Sequence, residues 1–316
     1  MKATFQKSLL PLLVMAAFGC SDSSDDDNVS AKFSLGLSDA PVDSAEAVYI
    51  ELDSITLTKD DEVTTVSEFT NQSGETVESV QVNLLDFQGS AQIKIVDESQ
   101  NIELGNGVYD MELNVIDAGS YVLLENDPTE HAIKVPSSRL RLGEFTVSDQ
   151  AVQIAGTPAY TIEFDLRQSL VLRGNAKNNN GYIIKPHGVR IVSQPGNLSG
   201  TVGTDLTNLG QCTVYLYEGS VTEYGDMFDE DDETFVTPET EITASTPLAT
   251  ATVDVNGTYS IGFITAGSYQ VALSCGTEVD DNIQFDGLTI PSAGDITPAV
   301  QTVEISASET SVVDFN

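Results

Sequence analysis

Apolar and polar residues alternate along most of this chain, and turn-forming residues interrupt the alternation about every eight to twelve positions. That period of two predicts strands at Val48–Leu57 and Tyr109–Val115, then at Ala159–Leu166 and Tyr182–Val192. Pro186 lies inside the last run and predicts an edge position or a bulge, because proline donates nothing to a ladder. Gly105-Asn106-Gly107 marks a tight turn, and a doubled leucine followed by Phe87 predicts one short helix near Leu84–Gly89. The implied class is all-β, arranged as two consecutive β-sandwich domains.

Composition separates the two. Arg190 is the last basic residue, none follows through Asn316, and Gln194-Pro195-Gly196-Asn197 reads as a linker, which predicts domains over residues 31–194 and 196–316. The whole chain holds 49 acidic and 13 basic residues, a formal net charge of -36. A field of that sign repels nucleic-acid phosphates and anionic lipid headgroups, so no nucleic-acid partner is expected. Solubility in a salty medium accounts for it, since screening weakens the self-repulsion. A surface meant for a cationic partner is the other reading.

Ahead of the first domain the alternation disappears. Residues 1–19 carry Lys2 and Lys7, the apolar run Leu9–Met15, and the small residues Ala17 and Gly19, which together read as a signal peptide. Its apolar run is too short to cross a bilayer. Cys20 follows, then an acidic tether over residues 20–30. Ala17-Phe18-Gly19-Cys20 resembles the lipobox of bacterial lipoproteins, departing from it at Phe18. The resemblance implies lipidation of Cys20 and, with Ser21 next, sorting to the outer membrane, the domains lying on its surface or its periplasmic face. Several acyl chains give durable anchoring. Without the resemblance, the segment is an ordinary secretory leader and Cys20 a thiol.

An exported chain permits disulfides, so Cys212 and Cys275 are expected to pair. Such a bridge restricts the unfolded chain by about 4 kcal/mol in the loop-entropy account. Zinc needs three or four close ligands, and only His131 and His187 accompany these cysteines.

Four stretches bring a family into view: Leu37-Ser38-Asp39-Ala40-Pro41-Val42-Asp43 before Ala47-Val48, Lys134-Val135-Pro136-Ser137-Ser138, Phe164-Asp165-Leu166-Arg167-Gln168-Ser169-Leu170, and Ile184-Lys185-Pro186. In this order they resemble the family known as domain of unknown function 4382, with a departure at Ser138, where that family often has glycine. The resemblance implies a bacterial envelope domain, usually on lipoproteins, with no established activity. Further on stand Leu198-Ser199-Gly200-Thr201-Val202, Val253-Asp254-Val255-Asn256-Gly257-Thr258-Tyr259-Ser260 and Ala266-Gly267-Ser268-Tyr269-Gln270-Val271. These resemble the transthyretin-like, carboxypeptidase regulatory-like sandwiches, an immunoglobulin-like architecture. Asn256-Gly257 suits a type I′ hairpin, and Gly267 a turn that brings Tyr269 inward. Related pilin-type modules carry a Lys–Asn isopeptide staple, which a region without lysine cannot form, so the disulfide is the candidate replacement.

Candidate chemistry is sparse. Asp39-Ala40-Pro41 reads as a turn, with calcium ligation by Asp39 and Asp43 as the alternative. Asp165 and Arg167 read as a structural pair rather than as acid and base. Ser137, Ser138 and Ser169 have no base placed beside them by any motif, and His187 reads as a loop residue. No cofactor is expected beyond weak calcium, whose ligands would be Asp229, Asp231 and Glu233 in the densest acidic loop, otherwise a solvated hairpin tip. The leading function is a non-catalytic envelope lipoprotein whose sandwiches present loops for adhesion or for contact with envelope proteins and matrix. The alternative is a module binding extracellular glycans or small ligands through an exposed aromatic platform at Tyr215, Tyr217 and Tyr224, of which Tyr215 and Tyr217 share a strand face and equally suit a core. An enzyme comes last, since no acid, base, nucleophile or metal cluster is assembled.

Overall fold

The strand Ala45–Lys59 is the spine of the computed structural model. The structure describes residues 30–40, 45–147, 160–175, 178–186, 188–226, 243–276, 288, 290–291 and 299–316. Gly107–Val115 and then Arg139–Val147 pair along one edge of the spine, and Glu62–Val66 and Val80–Asn83 along the other. Tyr121–Leu124 continues the sheet through Asp127–Lys134 to Asn178–Ile184 and Leu170–Asn175. The spine's alternation slips once. Asn114 faces Ser54 and Val115 faces Leu52, so Asp53 is an extra residue, a β-bulge. Hence Val48, Ile50 and Leu52 point inward before the slip and Ile55 and Leu57 after it, all buried.

A four-stranded sheet covers that apolar face, in the order Val189–Ser193, Tyr160–Asp165, Leu35–Ala40, Ile93–Val96, with the middle pair parallel. Leu35, Leu37, Ile162 and Phe164 meet Leu52, Ile55, Met111 and Leu113 in one core. Each such side chain contributes about 1.5–3 kcal/mol on leaving water. The run expected at Tyr182–Val192 is two strands in different sheets. Pro186 stands in the connection, where its carbonyl accepts from the Val189 N–H at 3.1 Å, so it is neither an edge nor a bulge residue. The strand expected to Leu166 stops at Asp165, whose carboxylate accepts from the Gln168 N–H and starts the helical turn Leu166–Ser169. The helix expected near Leu84 is the 3-10 turn Leu84–Phe87.

Beyond Gln194 a second sandwich forms. Thr258–Ile264, Gly196–Thr201 and Thr310–Val312 make one sheet, and Ala249–Thr252, Gln211–Glu218, Gly267–Gly276 and Val300–Ile305 the other. Leu198, Ile261, Val214, Leu216, Leu273 and Phe315 fill the space between them. Cys212 and Cys275 face each other across neighbouring strands and form a disulfide, 63 residues apart in sequence. Tyr269 is buried as expected, its hydroxyl donating to the Thr265 carbonyl. Asn256-Gly257 differs from the expected I′ hairpin: only Gly257 has a positive φ, +76°, and the turn joins strands of opposite sheets. Asp254 shapes it, accepting from the N–H groups of Asn256 and Thr258, each at 2.8 Å. The hydrogen bonds from Thr258 lower the Asp254 pKa.

The outer face of the four-stranded sheet docks on this second lobe. Gln168 Nε2 donates to the Leu248 carbonyl at 3.3 Å and Arg190 Nη1 to the same carbonyl at 3.3 Å. A Cβ at Gly262 would overlap the Gly89 carbonyl, so the two backbones touch there. Ser38, Glu163 and Arg190 lie in register on the docked face, with Glu163 and Ser38 fully buried. Burial pushes the Glu163 pKa up to about 8, with Asp165 raising it further and the Arg190 charge and a Ser38 hydrogen bond opposing. The last cation of the sequence thus sits where the acidic lobe meets the first.

Candidate functional site

The opposite face of the first lobe is open, and its chemistry follows from register. Across four strands, Thr65, Thr56, Glu112 and Arg141 stand side by side, and Ser54, Asn114 and Arg139 form the next row. All are outward residues of the period-two pattern once the Asp53 bulge has reset it. Two adjoining hollows of about 520 and 600 Å³ lie over them and share Thr56, Glu112 and Arg139.

The polar groups in this groove are cross-braced. Glu112 Oε1 meets Arg139 Nη1 at 3.3 Å, and Glu112 Oε2 accepts from Arg141 Nε at 3.2 Å. Asn114 Nδ2 donates to Ser54 Oγ at 3.0 Å and to Thr56 Oγ1 at 3.1 Å, and Ser54 Oγ donates to Asp53 Oδ2 at 3.2 Å. Arg141 remains 79% exposed and Arg139 55%. At the rim, Ser137 and Ser138 hold φ of 60° and 53°, the left-handed region where a β-carbon is costly. The departure at Ser138 therefore keeps a backbone that glycine adopts freely. The groove supplies hydroxyls, an amide, the carboxylates of Asp53, Asp110 and Glu112 and two guanidinium groups, all able to hydrogen-bond a polar ligand.

The four motifs read from sequence fall within one lobe and in one order. Residues 30–186 match the family described as domain of unknown function (DUF4382). The DUF4382 segment is just under half of the chain and holds every residue lining the groove. No curated protein matches the chain. Among solved structures, the minor pilin GBS52 of Streptococcus agalactiae is 14% identical, with 89% of this chain and 94% of that one covered at a TM-score of 0.21. The major pilin subunit BcpA of Bacillus cereus is 12% identical, with coverages of 90% and 99% and a TM-score of 0.22. The Bacillus anthracis TIE protein is 14% identical at a TM-score of 0.21, and this chain spans about a third (34%) of its length.

In the DUF4382 segment, Asp39 lies inside the strand Leu35–Ala40 rather than in a turn, fully buried beside Phe164. Asp165 caps the turn after its strand, a structural role. The partner proposed for it, Arg167, has its side chain outside the described residues, as do Asp43 and His187 entirely. Ser169 is buried, and Ser137 and Ser138 line the groove. Cys20 and the candidate calcium ligands Asp229, Asp231 and Glu233 also lie outside the described residues. Among the described residues, no group of three or more His, Cys, Asp or Glu side chains could hold a metal ion.

The aromatic platform is corrected. Tyr217 is fully buried and donates to the Gly225 carbonyl at 2.7 Å, while Tyr224 packs edge-on against it at 5.1 Å. Tyr215, Tyr217, Ala272 and Ile290 form a separate apolar cluster on the outer face of the second lobe's four-stranded sheet. Segments beyond the strands cover that face, so residues 212–217 are buried on both sides and their tyrosines are core. The groove was missed because each outward residue alone reads as a solvated strand face. Its one signal was the spacing of Arg139 and Arg141, two scarce cations on one face of one strand.

Proposed function

We propose that this chain is a non-catalytic lipoprotein of the bacterial outer envelope, anchored through Cys20, that presents two docked sandwiches to envelope partners or extracellular glycans. The observation that carries the reading is the seam between the lobes. A buried contact with hydrogen bonds from Gln168 and Arg190 and backbones touching at Gly262 makes one firm body, suited to holding a binding surface at a fixed angle. The lipobox-like segment and the acidic tether support the anchor. The groove favours the glycan branch, because it is open, polar and braced.

Labelling with a radioactive fatty acid tests the anchor. Wild-type protein is expected in the membrane fraction carrying label, and Cys20→Ala is expected to lose the label entirely. Equal labelling of both would refute lipidation at Cys20. External protease on intact cells then separates surface display, seen as loss of both lobes, from a periplasmic position, seen as protection.

A further inference from the structure

We propose that the groove over Thr56, Glu112, Asn114 and Arg141 binds a neutral oligosaccharide laid across the strands. The inference deepens the glycan branch of the function proposed above and rests on it, but it names a site and a ligand class that branch does not.

Geometry comes first. Neighbouring strands are about 4.8 Å apart, so the row Thr65, Thr56, Glu112, Arg141 places four polar side chains along roughly 14 Å. A hollow of about 600 Å³ beside one of about 520 Å³, with shared walls, has the capacity of a binding site for more than one sugar ring. The second lobe docks on the other sheet and leaves this face open.

The chemistry selects sugars. A carboxylate accepts two hydrogen bonds from a vicinal diol, and a guanidinium donates two, so a Glu–Arg pair can recognise ring hydroxyls from both sides. Asn114 adds a carbonyl acceptor whose direction is fixed, because its Nδ2 is already held by Ser54 and Thr56. These groups are braced before any ligand arrives, which reduces the ordering cost of binding. The bulge at Asp53 and the left-handed Ser137 and Ser138 shape the rim.

Charge selects neutral sugars. Glu112 is matched by the two arginines, while Asp53 and Asp110 flank the groove and the chain as a whole carries -36. A uronate or sulfated chain entering it meets those carboxylates. Hydrogen bonding without an aromatic stacking surface among the lining residues points to modest affinity.

Titration of the purified full chain, followed by calorimetry or NMR, with neutral glucan, mannan and galactan fragments and with uronate-containing fragments tests this. At least one neutral fragment is expected to saturate, with affinity little changed by added salt. Arg141→Ala and Asn114→Ala are each expected to weaken it by about tenfold, the size of one lost charged or braced hydrogen bond. Arg141 is largely exposed, so its truncation leaves the fold intact, as a melting curve would show. The proposal is overturned if no neutral fragment saturates, if neither substitution weakens binding, or if only uronate fragments bind and salt abolishes the effect. Failure here leaves the Cys20 labelling result untouched, so the two readings fail separately.

Discussion

Replacing Cys212 and Cys275 together by serine is expected to lower the unfolding free energy of the second lobe by about 4 kcal/mol. The bridge closes a loop of 63 residues, and the unfolded chain loses the corresponding freedom in the loop-entropy account. Folded domains are stable by about 5–15 kcal/mol, so the loss would remove from about a quarter to about four fifths of such a margin. Two features concentrate the effect. The cysteines lie in register in the middle pair of the four-stranded sheet, and both are buried in the lobe's core beside Val214 and Leu273. Urea unfolding of wild type, reduced wild type and the double variant checks it, with reduction and substitution expected to agree. A loss below about 1 kcal/mol would mean that the unfolded chain is already constrained.

The second large effect is electrostatic. Glu163 has a folded pKa of about 8, raised chiefly by burial from an ordinary value of 4.5. Because the folded pKa is the higher one, the native chain holds a proton that the unfolded chain gives up. The stability tied to Glu163 is complete below about pH 4.5 and is lost as pH rises through about 8. Glu163→Gln keeps the shape and removes the titration. It is expected to stabilise the chain by about 3 kcal/mol at pH 7 and by nothing near pH 4. The groups facing Glu163 are Arg190 and Asp165 within the first lobe and Ser38 on the neighbouring strand, and Arg190 also acts on Tyr269 of the second lobe. Denaturant midpoints of wild type and variant between pH 4 and pH 8.5 give the comparison, and parallel curves would contradict a proton on Glu163.

Much of the fold was legible because period two is a local signal. Val48–Leu57 and Tyr109–Val115 lie inside the strands Ala45–Lys59 and Gly107–Val115. The pairing of Cys212 with Cys275 followed from counting. What escaped depends on register and on what covers a face. The slip at Asp53 is a two-against-one match that needs the partner strand. Tyr215 and Tyr217 alternate with Val214 and Leu216, and only the cover over the second face decides that both sets are core. Glu112 meets arginines 27 and 29 residues away because two neighbouring strands align. Tyr182–Val192 reads as one run in sequence, yet the missing N–H of Pro186 lets the chain leave one sheet for another.

In the second lobe, Gly196–Thr201 and Thr310–Val312 run side by side in the same direction, Asn197 opposite Thr310 and Ser199 opposite Val312. A protein held at one end and tugged at the other loads such a pair along its length. The first strand is drawn backward and the last forward, so their hydrogen bonds share the load in shear and must give way together. An antiparallel pair pulled apart at one end, such as Gly267 from Ile305, instead opens one rung at a time. Pulling on residues 196 and 312 in a force spectrometer should require a distinctly higher rupture force than pulling on residues 267 and 305. The lobe farther from the tether would then act as a tension-bearing clasp, whatever its surface holds.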